Sequence, residues 1–322
     1  MLSLRFAVSL FFLLSGYLIT KLLAIEKQTA GSVHLRDFYI RRIARIWPLY
    51  YVFVVASLLL GLVFVNEPPS RGALLSFLLF SGNWWAAHHV IHLGAIGLLW
   101  SVNVEEQFYL LWPIASKLLR RRSMMLLCLA VITTSYAVLF WMGAHHVLSD
   151  PAIRFNTWVE MQFFATGAIL ALGMPARASQ LNAFTRAVLV LFGIACFAVG
   201  TRYFSSPGLL GSWATPASLY ACALIGCIAI FFCFYGMPSH WLPRPLLWLG
   251  KISYGLYVYH LLIFHLLSRT LPVSGHHSLL VLLQILLSLL LTILVAGASY
   301  QWLERPFLLW KKSFTLISNR QP

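Results

Sequence analysis

The sequence predicts an all-α fold, a polytopic transmembrane helix bundle of about nine spans, and three observations carry that prediction. Of the 322 residues, 60% are hydrophobic and only 10% are charged, where a soluble domain carries about 25% charged residues. The apolar residues gather into long runs, each near the ~20 residues that a helix needs to cross a hydrocarbon core of about 30 Å. Basic residues concentrate between alternate runs, as the topology of a membrane protein requires. A bilayer forces every backbone polar group to be satisfied internally, so unbroken apolar runs mean helices.

The runs fall at residues 6–25, 47–65, 98–119, 124–142, 157–174, 187–204, 213–236, 246–268 and 279–301. A shorter apolar piece at 72–82, followed by Asn83-Trp84-Trp85, is too short to cross and reads as a re-entrant or interfacial segment. Nine spans and short loops occupy the whole chain, so residues 1–322 are expected to form a single transmembrane domain. The five cysteines (128, 196, 222, 227 and 233) all sit inside apolar runs without CxxC spacing, and they read as packing residues.

The net charge of +15 would suggest a nucleic-acid partner in a soluble protein. Here it encodes orientation instead, and no nucleic acid is expected. Five segments (21–45, 117–122, 177–186, 244–251 and 305–320) hold 18 of the 23 Lys and Arg residues. That set is expected to be cytoplasmic, with the C-terminus inside. An odd number of spans then puts the first residue outside. Reading residues 1–24 as a cleaved signal peptide is disfavoured because no small-x-small cleavage site stands at the right distance.

Four segments carry candidate chemistry. In Phe38-Tyr39-Ile40-Arg41-Arg42-Ile43-Ala44-Arg45-Ile46-Trp47-Pro48, Arg42 and Arg45 share a helical face. They either anchor a membrane boundary beside an aromatic belt or offer guanidinium forks to a phosphorylated donor. In Trp100-Ser101-Val102-Asn103-Val104-Glu105-Glu106-Gln107-Phe108-Tyr109, two carboxyls stand inside an apolar span. A charge there costs roughly 2.5–3.5 kcal/mol, so it either marks function or belongs to an ion pair.

His260 closes the third segment, Ser253-Tyr254-Gly255-Leu256-Tyr257-Val258-Tyr259-His260. At about 1.5 Å per residue, it and Glu105 are expected at similar depths, roughly 10–12 Å below the outer boundary. They could form an acid/base pair or a buried interhelical hydrogen bond. Ser253, Tyr254, Tyr257 and His260 share one face and are expected to line a cavity. The fourth segment, Glu304-Arg305-Pro306-Phe307, reads on its own as an interfacial ion pair with a proline helix stop. The outer histidines (88, 89, 92, 145, 146, 276 and 277) read as interfacial loop residues, without the Cys or Asp companions of a metal site.

Taken together, these segments resemble the acyltransferase 3 family of bacterial membrane enzymes. Ser9 to Thr20 looks like that family's second helix, Arg42-x-x-Arg45 like its arginine motif, and Val104 to Pro113 like its Glu-containing helix. Ser253 to His260 and Glu304 to Phe307 follow in the same order. The resemblance implies an O-acyltransferase with no bound cofactor. Its donor would be acyl-coenzyme A (acetyl-coenzyme A above all), bound near Arg41, Arg42 and Arg45. Its acceptor would be a hydroxyl of a lipid-linked or surface glycan, surface polysaccharide and lipopolysaccharide included.

Glu105 and His260 are then the catalytic candidates, with Glu106, Tyr109, Ser253, Tyr254 and Tyr257 as acceptor contacts. The family's first helix carries a basic residue eleven positions before an essential histidine, and this chain is expected to begin after it. Two other readings stand beside this one: a bundle that lacks the base and is inactive, and a secondary transporter relaying protons through Glu105 and His260.

Overall fold

The computed structural model describes residues 7–64, 70–89, 94–145, 150–174, 181–204, 215–271 and 278–314. Every one of the nine apolar runs is helical within them. Helices α1 (Ala7–Ala30) and α2 (Leu35–Phe64) come first, and the stretch too short to cross holds α3 (Arg71–Leu78) and α4 (Gly82–His88). A 3-10 turn, Gly94–Leu99, leads into α5 (Trp100–Leu118), followed by α6 (Arg121–Ala144) and the short α7 (Asp150–Arg154). Then come α8 (Thr157–Gly173), α9 (Ala183–Phe204) and α10 (Thr215–Phe234).

Helices α11 (Arg244–Lys251) and α12 (Ser253–Thr270) meet at a bend of 74°. Helix α13 (Ser278–Ser299) continues through a π turn, Tyr300–Glu304, into α14 (Arg305–Trp310) and a final 3-10 turn, Lys311–Phe314. No strand occurs among the described residues.

Among the described residues six helices are long and apolar enough to cross a membrane, and a seventh is counted if α11 and α12 form one span. The other two expected spans depart from that standard for physical reasons. Helix α5 carries Glu105, Glu106 and Lys117 within its 19 residues. Helix α8 has 17 residues, about 25 Å at the helical rise.

Contacts divide the chain into two compact units, neither a continuous stretch. The first comprises Met1–Val33, Asn83–Val90 and Ser101–Trp241; the second comprises His34–Gly82, Ile91–Trp100 and Leu242–Pro322.

The first unit is organised around the crossing of α1 and α8. A Cβ on Gly16 would run into the Phe164 carbonyl oxygen, and one on Gly167 into that of Leu13, so only glycine permits this approach. Phe12 meets Phe164 and Tyr17 meets Gly167, so the contacts advance in the same chain direction and the helices are parallel. Phe12 stacks on Phe164 at 4.7 Å, and Phe164 on Phe108 at 4.4 Å, which joins α5 to the same core. Helices α1 and α5 run parallel, as the pairs Ser15–Glu105, Thr20–Trp112 and Lys27–Leu119 show.

Three cations close helix ends in this unit. Lys27 Nζ donates to the carbonyls of Ser116, Lys117 and Leu119 at 2.9, 3.0 and 2.8 Å, at the end of α5. Arg121 donates to Leu172 O near the end of α8. Arg186, 4% exposed, donates to Leu181 O and Tyr235 O at 3.1 Å each and to Cys233 O, at the end of α10. The last four carbonyls of a helix lack intrahelical partners, and basic side chains are suited to them. All five cysteines are free and lie within α6, α9 and α10.

In the second unit α2 starts well before its apolar run, because the arginine segment continues the helix, with Pro48 inside it. Phe80 adopts φ +54°, a left-handed conformation that costs a bulky residue. Its ring packs against those of Tyr50 and Trp47 at 4.6 and 5.6 Å, and Tyr50 OH donates to Phe77 O at 2.6 Å. Gly255 of α12 lets α13 approach, since a Cβ there would sit 3.2 Å from the Ala296 Cβ. On α11, Leu246, Leu247 and Trp248 are about half exposed between Arg244 and Lys251, the pattern of a helix lying in the membrane interface.

Candidate active site

Glu105 is 6% exposed in the first unit. Its Oε1 accepts hydrogen bonds from Ser15 Oγ at 2.6 Å and from Tyr109 OH. Two hydroxyl donors on one oxygen fix the direction of the carboxyl group. The parallel run of α1 beside α5 brings Ser15 to it, and the i, i+4 spacing brings Tyr109. Tyr109 is itself 5% exposed, so its hydroxyl is occupied in holding Glu105. Glu106 is half-buried one position on.

Two residues along α5, a closed ring of side chains ties three helices together. Gln107 Nε2 donates to Asn83 Oδ1 at 2.9 Å, Asn83 Nδ2 to Thr157 Oγ1 at 2.9 Å, and Thr157 Oγ1 to Gln107 Oε1 at 2.7 Å. Each acceptor and donor of the ring answers another, which makes it a rigid support.

The polar stripe of α12 belongs to the second unit. Tyr254 OH donates to Ile46 O at 3.1 Å and Tyr257 OH to Leu98 O at 3.0 Å. These two hydroxyls therefore fasten α12 to α2 and to the 3-10 turn. Ser253 is exposed at the start of the helix. His260 is exposed, with Nδ1 at 2.6 Å from Tyr257 O. A carbonyl can only accept, so Nδ1 carries the proton and Nε2 is left as the basic nitrogen. Glu105 and His260 lie in different units.

The arginines of α2 also belong to the second unit, where the chain folds back on them. Arg41 Nη1 donates to Phe314 O at 2.8 Å. The Arg42 guanidinium lies 5.5 Å from the Phe38 ring centroid, and Arg45 is exposed. The π turn, α14 and the final 3-10 turn all pack on α2, which places Lys311 within reach of all three guanidiniums. Burial, then repulsion from Arg45, Arg42 and Arg41, pushes the Lys311 ammonium down to about 8. Arg45 also faces the carboxyl of Glu304, which is 5% exposed.

Sequence reasoning named Tyr109 as an acceptor contact, whereas its hydroxyl is turned to Glu105; it missed Ser15, which looks like a packing residue in an apolar helix, and Lys311, which looks like one more topogenic lysine. It also passed over Glu160 of α8, 1% exposed, whose Oε1 accepts from Tyr220 OH at 3.0 Å. A carboxyl in an apolar run was the available signal for that residue.

Among the described residues no group of three or more His, Cys, Asp or Glu could hold a metal. His89 stacks on Trp85 at 3.9 Å and His145 on Trp141 at 4.6 Å. His92, His146, His276 and His277 lie outside the described residues.

The family model described as an acyltransferase domain, of the type numbered 3, matches residues 1–301. YrhL of Bacillus subtilis (strain 168) is 30% identical over 328 residues, covering 93% of this chain and 50% of that protein. The peptidoglycan O-acetyltransferase OatA of Listeria monocytogenes is 29% identical over 93% of this chain and 50% of its own length. The O-acetyltransferase OatA of Staphylococcus aureus (strain NCTC 8325) is 29% identical over 95% and 53%. The chain thus spans about half the length of the curated relatives it matches. No solved structure matches it.

Proposed function

We propose that this chain, which belongs to the acyltransferase 3 family, moves an acetyl group from acetyl-coenzyme A to a hydroxyl of a cell-surface glycan. The names of its relatives make peptidoglycan the favoured acceptor. In the step itself the acceptor oxygen attacks the thioester carbonyl, a C–O bond forms, the C–S bond breaks, and the hydroxyl proton ends on the coenzyme A sulfur.

The buried Glu105 carboxylate, aimed by Ser15 and Tyr109, is the observation that carries this reading. A fixed carboxylate inside an apolar unit suits a group that accepts or steers a hydroxyl proton. Arg41, Arg42 and Arg45, in a guanidinium cluster that repels its own neighbouring lysine, suit the phosphates of the donor. Phosphorylated coenzyme A is cytosolic, so in this reading the arginine end of the second unit faces the cytoplasm, with the C-terminus on the same side and the membrane the bacterial plasma membrane. His260, with Nε2 basic, is an auxiliary proton acceptor.

Membranes containing the protein, given labelled acetyl-coenzyme A and a peptidoglycan acceptor, test the reading. Transfer of label to an alkali-labile ester, lost in Glu105→Gln, is the expected result. Equal transfer by wild type and Glu105→Gln would remove Glu105 from the reaction.

A further inference from the structure

Two histidines of the first unit share an arrangement that an interfacial loop does not require. At the end of α4, His89 stacks on Trp85, one turn back, at 3.9 Å with the rings 6° from parallel, and its Nδ1 lies 3.1 Å from the Trp85 carbonyl oxygen. At the end of α6, His145 stacks on Trp141, one turn back, at 4.6 Å and 30°, and its Nδ1 lies 2.9 Å from the Trp141 carbonyl oxygen. A carbonyl only accepts, so Nδ1 carries the proton in both rings and Nε2 is left as an acceptor. Both imidazoles are exposed, and Trp141 is 57% exposed. An aromatic belt anchors helices without an imidazole stacked on each indole.

The two pairs flank one element, the start of α8. Asn83, two residues before Trp85, donates to Phe155 O and Thr157 Oγ1 at 2.9 Å each, and Ser135 of α6 donates to Trp158 O at 2.6 Å. Asn83 also accepts from Gln107, which ties α4 to the helix that carries Glu105.

We propose that the Trp85–His89 and Trp141–His145 pairs form a carbohydrate platform that holds the acceptor glycan by its sugar rings. The inference rests on the acetyl-transfer reading and names the groups of this chain that take the acceptor. The ligand class is a chain of uncharged pyranose rings. The C–H face of a pyranose is apolar and slightly positive, so it settles on the negative face of an aromatic ring. The hydroxyls around its rim donate to Nε2. Indoles give such contact at low conformational cost, because they have only two rotatable side-chain bonds. Lys27 and Arg121 finish α5 and α8 at the opposite end of the unit. An excess of basic residues marks that end as cytoplasmic, so the platform faces outward, where a surface glycan lies.

The test uses the whole chain in nanodiscs of neutral lipid and the isotope-labelled, soluble tetramer of N-acetylglucosamine, measured by equilibrium dialysis. Wild type is expected to retain the tetramer. Trp85→Ala and Trp141→Ala should each weaken binding about tenfold. His145→Phe keeps a ring on Trp141 but has no Nε2, and should weaken binding about threefold. Trp158, 58% exposed on the same end, has Gln162 rather than a histidine one turn on. Trp158→Ala should therefore bind within about twofold of wild type.

If Trp141→Ala and His145→Phe bind like wild type, or if Trp158→Ala costs as much as Trp141→Ala, the platform is overturned. Wild type that transfers acetyl yet retains no tetramer overturns it as well, and in each case the acetyl-transfer reading stands on the Glu105→Gln result. If wild type neither retains the tetramer nor transfers acetyl, both fail. Should Trp141→Ala not fold, Trp85→Ala and His145→Phe decide.

Discussion

Basic residues stand at helix ends in both units, yet they meet different partners. In the first unit Lys27, Arg121 and Arg186 donate to carbonyls at the ends of α5, α8 and α10. In the second unit Arg41 reaches one carbonyl, but Lys311 of the returning chain also feels the charges of Arg45, Arg42 and Arg41. The same Lys and Arg enrichment, read from sequence as one topological signal, thus serves two purposes. Cations that finish a helix are satisfied by the carbonyls they reach, whereas cations that face one another repel.

The largest expected effect lies at Glu105 of the first unit, the carboxyl to which the proposed reaction assigns a role. Glu105→Gln is expected to lower acetyl transfer by about 10²–10⁴-fold without changing the melting temperature in detergent, because an amide still accepts from Ser15 and Tyr109. A large stability loss would instead make Glu105 structural.

A crossed pair of variants comes next. Lys27→Met leaves three carbonyls without a charged donor and should cost about 1.5–3 kcal/mol of stability, with the KM for acetyl-coenzyme A unchanged. Arg42→Met should do the reverse, raising that KM about tenfold while thermal unfolding stays put. Identical phenotypes for the two would erase the distinction between the units.

Gly16→Ala should cost about 1–3 kcal/mol, as a methyl group pushes α1 from α8. It should also reduce turnover, because Ser15 moves with the helix. Unfolding and initial rates measured together would show whether the two losses travel as one.

The smallest effect is on ligand-free stability against pH. Lys311 has its folded value near 8, below the ~10.4 of a free lysine. Between those values the unfolded chain binds more protons, so stability should rise with pH across that window. Lys311 is partly exposed, and screening keeps the gain under about 1 kcal/mol. Lys311→Met should abolish the rise.

Much of the fold was legible because hydrophobic length is a local property. All nine apolar runs are helical within the described residues, and the short piece before Asn83 became α3 rather than a span. The start of α2 was less legible, since a hydropathy reading stops at the arginines while the backbone does not. In the site, Glu105 announced itself as a charge in an apolar run. Its donor Ser15 could not, because the pairing of α1 with α5 joins residues far apart in the chain and a serine in a span resembles packing. The tyrosines of α12 were placed on one face correctly, but whether a hydroxyl meets a cavity or a carbonyl depends on the neighbouring helix. Lys311 was invisible for a similar reason: only the return of the chain to α2 gives it company.

The reciprocal glycines of α1 and α8 also set an order of assembly. Gly16 leaves the ribosome about 150 residues before Gly167, roughly 8–30 s at ordinary synthesis rates. Throughout that interval α1 resides in the bilayer without the partner its surface is cut to fit, and Glu105 arrives before the crossing that steadies Ser15 can close. The carboxylate therefore acquires its final surroundings only after α8 has entered. A chain arrested just before α8 should hold Glu105 in a looser environment than the finished protein does.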